Sequence, residues 1–180
     1  MLYAMAELIF KDLRISGKEL LIGISPGAGV SWGENAVYKH WPAERFAQVA
    51  DKFSKDSGAR ILLLGDEREN HLAQRIIKAV SARPLDLTGK TTLRELAAII
   101  ARLNLLVAND GGPLHMAVAL GVKTVSLFGP VDERVYGPYP ASDKHIVLKR
   151  DLTCRPCYKN MRFNGCVNNR LCLEGISADE

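Results

Sequence analysis

The sequence predicts an α/β fold, a mostly parallel sheet with helices on both faces. Short apolar, β-branched runs alternate along the chain with segments of helical periodicity. The helical segments have the length of connections in βαβ units. The composition is that of a globular protein, 47% hydrophobic and 24% charged over 180 residues. That length is about one domain and can bury a substantial core.

The elements follow in order. Residues 4–14 suit a helix that leads in from something earlier, so residues 1–18 are expected to be a lead-in. Residues 19–25 (ELLIGIS) read as a buried strand. Residues 42–57 read as a helix, because Phe46, Val49, Ala50 and Phe53 recur at spacings of three and four and share one face. Gly58 stops it. Residues 60–64 (RILLL) form a second strand, 67–80 a second helix and 84–87 a short third strand. Thr92 caps the next helix and Glu95 completes a capping box. Leu93, Leu96, Ala97 and Ile100 are assigned to its inner face. Residues 105–108 are the fourth strand. Residues 113–120 form a helix with Pro113 in its first turn, where the missing N–H costs nothing, and Gly121 ends it. Residues 123–128 (KTVSLF) and 145–148 are the fifth and sixth strands. The sheet domain is therefore expected over 19–150, with a Cys-rich tail over 151–180. Ser177 and Glu180 read as a capping box for a helix that does not follow, so both ends are expected to be cut.

Several classes are excluded. No apolar run approaches the roughly 20 residues needed to span a bilayer. Residues 1–10 are apolar but carry Glu7, and they lack a basic leader and a small-residue cleavage site. They do not read as a signal peptide, and a cytoplasmic location is expected. Neither a Walker A pattern nor a full G-x-G-x-x-G follows any strand, which argues against a P-loop NTPase and a dinucleotide oxidoreductase. The net charge of +4 is mild and points to no nucleic-acid partner. The excess is local: Lys144, Lys149, Arg150, Arg155, Lys159, Arg162 and Arg170 face only Asp151 in that stretch. Such a patch suits an anionic substrate, peripheral contact with the inner membrane, or simply solvent.

In an open parallel sheet, ligands sit outside the carboxyl ends of the strands. After the first strand come Ser25-Pro26-Gly27-Ala28-Gly29 and then Lys39-His40-Trp41-Pro42. Small residues there let backbone N–H groups approach a phosphate, and Lys39 supplies a cation just before a helix. After the second come Gly65-Asp66-Glu67-Arg68-Glu69, where a carboxylate suits ribose hydroxyls. After the fourth come Asn109-Asp110-Gly111-Gly112-Pro113-Leu114-His115, glycines at a helix N-terminus. Each loop alone is weak: glycine pairs are common turns, Lys39 alone reads as a surface lysine, and His115 alone as a core histidine. Their coincidence at three strand ends favours a diphosphate-bearing ligand.

These residues resemble the C-terminal domain of the ADP-heptose:lipopolysaccharide heptosyltransferases, glycosyltransferase family 9, from about Ile22 onward. The marks are Pro26-Gly27-Ala28, Lys39-x-Trp41-Pro42, Leu64-Gly65 with acidic residues after it, Leu87-Thr88-Gly89, Asn109-Asp110-Gly111-Gly112-x-x-His115 and Leu127-Phe128-Gly129-Pro130. The resemblance implies a Rossmann-like domain of the two-domain GT-B architecture, with the nucleotide-sugar donor held by this domain. Gly27, Ala28 and Lys39 would line the phosphates. Glu69 would meet the ribose, and Gly89 and Thr91 would lie near the base. Asp110, Gly111, Gly112 and His115 would hold the diphosphate and the sugar. The family commonly has Ser or Thr where this chain has Gly111, which removes one hydroxyl contact. The implied reaction is inverting displacement at the anomeric carbon, with ADP-heptose as donor and a lipopolysaccharide core or other glycan as acceptor. The base is an Asp of the N-terminal domain, which no region here supplies. No catalytic residue is therefore assigned to this chain, which is expected to be inactive without that domain, and no metal is required for transfer. A related transferase with another nucleotide sugar, or a non-catalytic nucleotide- or zinc-binding module, are the alternatives.

All four cysteines fall in the tail, as Cys154-x-x-Cys157, Cys166 and Cys172. Their spacing suits a structural zinc site, and few apolar residues are available to fold the segment otherwise. Disulfides are disfavoured in a cytoplasmic chain, and four reduced thiols, or pairs oxidised during handling, are the equal alternative.

Overall fold

The computed structural model describes residues 2–29 and 31–180; Met1, the first residue of the lead-in, and Val30 lie outside the described residues. Six strands form one sheet: β1 (Leu21–Ser25), β2 (Arg60–Leu63), β3 (Leu85–Asp86), β4 (Leu105–Asn109), β5 (Thr124–Phe128) and β6 (His145–Lys149). Their order across the sheet is β3-β2-β1-β4-β5-β6, with every pairing parallel. The helices are α1 (Leu2–Asp12), α2 (Ala43–Ser57), α3 (Asn70–Ala79), α4 (Leu93–Ile100), α5 (Gly112–Ala119), α6 (Glu133–Tyr136) and α7 (Leu171–Glu174). A separate hairpin pairs β7 (Tyr158–Lys159) with β8 (Arg162–Phe163). The expected α/β architecture and its six sheet strands are present.

The apolar runs are continuous because both faces of the sheet are covered. Alternate residues point to opposite sides. Ile22, Ile24, Ile61, Leu63 and Val107 pack under α2 and α3, against Phe46, Ala50, Ala73 and Ile76. Leu62, Leu64, Leu106 and Ala108 pack on the other side against Phe10, Ile99, Ile100 and Leu114, from α1, α4 and α5. The lead-in helix is thus docked on the core, with Phe10 buried and Glu7 paired to Arg102.

Two expectations need correction here. Leu93 is 72% exposed, so it does not belong to the inner face of α4. It occupies the first helical position, where the turn projects past the edge of the core; Leu96, Ile99, Ile100 and Leu103 make the contact instead. The helix expected from residue 67 begins as a 3-10 turn, Glu67–Glu69, before α3. Asp66 caps that turn, and the Glu69 side chain completes the box.

The tail differs most from expectation, since apolar residues do fold it. Leu173 and Ile176 are fully buried in the cluster under α2. The indole N–H of Trp41 donates to the Ile176 carbonyl at 3.1 Å, and Arg45 donates to the same oxygen. Trp32 stacks on Tyr158 and Phe163, with ring centroids 4.6 and 5.1 Å away. These residues follow neither a two-residue nor a 3.6-residue period, so pattern alone does not find them. At the far end, Ser177 N donates to Glu180 Oε1 at 2.8 Å, which is one half of the expected box.

Candidate functional site

The strand order reverses between β1 and β4, which makes a crevice at their carboxyl ends. Asn109, the last residue of β4, organises it from below. Its side chain is buried; Nδ2 donates to the Pro26 carbonyl at 2.6 Å, and Oδ1 accepts from Trp41 N at 3.1 Å. One amide therefore ties the loop after β1, the entry to α2 and the end of β4 together. Reading Asn109 only as part of a motif missed this role.

Lys39 ends a 3-10 helix, Gly33–Lys39, in the segment expected to be a loop. The turn aims the side chain inward. Its Nζ lies 2.6 Å from Asp110 Oδ2, and both side chains are only 8% exposed. Trp32 covers the ammonium, with its ring centroid 5.2 Å from Nζ. His115, half exposed on α5, approaches the other Asp110 oxygen at 3.8 Å. Lys39, Asp110 and His115 are thus brought together at the N-terminus of α5. Gly111 sits against the Ala28 backbone; a Cβ there would lie 3.3 Å from Ala28 Cα, so a larger residue would press on the loop. Gly112 faces open space.

Glu69 joins this group from the second loop. Its Oε1 accepts from Gly29 N at 2.8 Å and its Oε2 from Asp66 N at 3.2 Å. Gly27 must be glycine here, because a methyl group would overlap the Glu69 carboxylate. The sequence signal for this arrangement is Asp66-x-x-Glu69, a capping box. Gly89 lies on the far side of the same loop, with φ +71 and its N–H on the Gly65 carbonyl at 3.0 Å; a Cβ would meet Glu67 Cα at 2.9 Å. Thr91 is part-buried just before the cap of α4, and its side chain makes no hydrogen bond among the described residues. The Thr88 hydroxyl, just before Gly89, is buried with no hydrogen-bond partner among the described residues.

Beside these loops lies a cleft of 790 Å³, walled by Gly29, His40, Arg68, Glu69, His71 and Arg170 among others. His40 Nε2 is buried with no hydrogen-bond partner among the described residues. Burial, reinforced by His71, Arg170 and Lys39, pushes the His40 pKa down to about 4. His40 is therefore neutral at neutral pH, and the positive charge of the site rests on Lys39 and the arginines.

Known proteins share this arrangement of elements. Residues 10–168 match the family described as glycosyltransferase family 9 (heptosyltransferase). The chain belongs to glycosyltransferase family 9. It is 34% identical to lipooligosaccharide heptosyltransferase 2 of a Campylobacter jejuni strain, over 89% of this chain and 54% of that protein. The crystal structure of a family 9 glycosyltransferase from Veillonella parvula superposes with a TM-score of 0.78 at 31% identity, covering 99% of this chain and 48% of that one. E. coli heptosyltransferase WaaC with ADP superposes at a TM-score of 0.59 and 25% identity, over 81% of this chain and 42% of that one. This family 9 chain spans about half the length of the relatives it matches.

Proposed function

We propose that this chain is the donor-binding half of an inverting heptosyltransferase, which holds the ADP of ADP-heptose while heptose passes to a lipopolysaccharide core. The observation that carries the reading is the buried Lys39–Asp110 pair beside the α5 N-terminus, at the crevice where β1 and β4 diverge. An ammonium has three donors, so Asp110 can orient Lys39 and leave two for phosphate oxygens. The N–H groups of Gly111 and Gly112, at the start of α5 where no side chain caps the helix, supply further donors, and the helix dipole favours an anion there. Departure of the nucleoside diphosphate builds negative charge, and fixed donors in a buried site stabilise it strongly. Glu69 already accepts two backbone N–H groups, and its remaining lone pairs suit ribose hydroxyls at the edge of the cleft. Gly89 and Thr91, beyond the second loop, border the place for the base. His115 meets the sugar side of the diphosphate. A ligand so placed needs no bound metal, and the catalytic base belongs to another domain. The structure of WaaC with ADP supports the choice of nucleotide.

Calorimetric titration with ADP, UDP and GDP tests the reading. ADP should bind best, and Lys39→Ala should weaken it by roughly ten- to a hundred-fold, the cost of a charge-assisted contact. Because Lys39→Ala strands Asp110, His115→Ala provides a second, half-exposed variant that should also weaken ADP binding while melting like the parent. Preference for UDP or GDP would replace ADP-heptose by another nucleotide sugar. Absence of nucleotide binding would overturn the proposal.

A further inference from the structure

Four cysteines from separate parts of the tail line one small cavity. Cys154 and Cys157 follow β6, Cys166 follows the β7–β8 hairpin, and Cys172 lies in α7. Tyr38 and Phe163 form part of the remaining wall. The free space is 10 Å³, about the room that one water molecule needs. All four thiols are unbridged. Loops separated by up to 18 residues thus bend back to bring four cysteines to the lining of one hole, in a region otherwise dominated by Arg, Lys and Asn.

We propose that this cavity is a structural site for one thiophilic transition-metal ion, Zn²⁺ or iron, held by Cys154, Cys157, Cys166 and Cys172. Four thiolates at short spacings around one point are the donor set such ions take in tetrahedral geometry. Among the described residues, no group of three or more such side chains is already gathered to hold an ion. The Cys157 thiol instead donates to the Cys154 carbonyl at 3.0 Å, and Cys166 Sγ accepts from Arg170 N at 3.2 Å. Binding therefore requires the Cys157 thiol to turn from the carbonyl into the cavity. The Arg170 N–H is already in place, since a backbone donor on sulfur supports a thiolate ligand. Each thiol gives up its proton as it binds, so a divalent ion releases four protons and forms a complex of net charge minus two. Arg170, which lines the cavity, and Arg155, buried beside Cys154, offset that charge. The ion would fasten the tail onto the body of the domain. Arg170 also donates to the Val37 carbonyl at 3.1 Å, and Phe163 packs on Tyr38, with centroids 4.9 Å apart. The site is independent of the donor-binding reading and stands or falls on its own test.

Metal content of the full chain, purified under reducing conditions, is measured by mass spectrometry and thiol titration. One equivalent of zinc or iron per chain is expected, with visible colour marking iron. The thiols should stay unreactive until a chelator strips the ion and then all titrate, with a lower melting temperature. Cys154→Ser and Cys166→Ser should each lose the ion. Should these variants not fold, Co²⁺ reconstitution of the stripped parent must show sulfur-to-metal charge transfer and a tetrahedral absorption envelope. The proposal is overturned by a chain that holds no metal as purified and after reconstitution with Zn²⁺ or Fe²⁺, or whose cysteines pair as disulfides under those conditions.

Discussion

Asp110 pairs with the Lys39 ammonium at 2.6 Å, and a ring nitrogen of His115 lies 3.8 Å from its other oxygen. A buried carboxylate tolerates that place only while it is paired, because an unpaired buried charge costs several kcal/mol. The neighbouring His40 is the opposite case, a base kept neutral. Unfolded, it takes up a proton near its ordinary value of 6.5; folded, only near 4. Unfolding therefore binds a proton between those values, and stability falls as pH falls through that window. The loss is at most roughly 3 kcal/mol and is complete near the lower value. Urea unfolding across the window should show this slope in the parent and a smaller one in His40→Gln. An equal slope in both would mean that other groups carry it. Lys39, Glu69, Asp110 and His115 were legible as candidates, because polar residues after strand ends are few. Neither the neutrality of His40 nor the clamp made by Asn109 was legible, since both depend on neighbours from distant segments.

Elements with regular periods were the most legible. Helix α2 shows its buried face through Phe46 and Ala50, and Gly58 closes it in the left-handed region at φ 66. Leu93 misled because periodicity defines a face but not where the core beneath it ends. Helix α7 was missed for another reason. It has four residues, and its entry, Arg170, has φ 60, a conformation that side chains favour little. Tertiary contacts hold it: Leu173 packs closely against Gly129, where a Cβ would lie 2.8 Å from Leu173 Cδ1. Leu173→Ala should therefore cost about 3 kcal/mol in urea unfolding, as for a core leucine. A loss of a few tenths would show that the tail is a surface appendage.

At the scale of the whole molecule, a chain about half as long as its relatives holds a complete six-stranded sheet. Within the proposed division of labour, it fixes the donor and stabilises the leaving diphosphate, while the base comes from another domain. This chain alone should then bind ADP yet release none from ADP-heptose in the presence of acceptor. Sustained transfer by the chain alone would refute that division. Among the described residues, no helix is long and apolar enough to cross a membrane.

By itself the sequence determined the α/β class, the six sheet strands and the family, because hydrophobic period and short loop motifs are local properties of the chain. Tertiary structure decided the strand order, and with it the crevice between β1 and β4. It also decided the inward turn of Lys39 onto Asp110, the occupation of Glu69 by backbone donors and the anchoring of the tail. These depend on contacts between residues tens of positions apart, such as Asn109 with Pro26. Such contacts leave no period in the sequence, since burial and distance exist only once the chain has closed on itself.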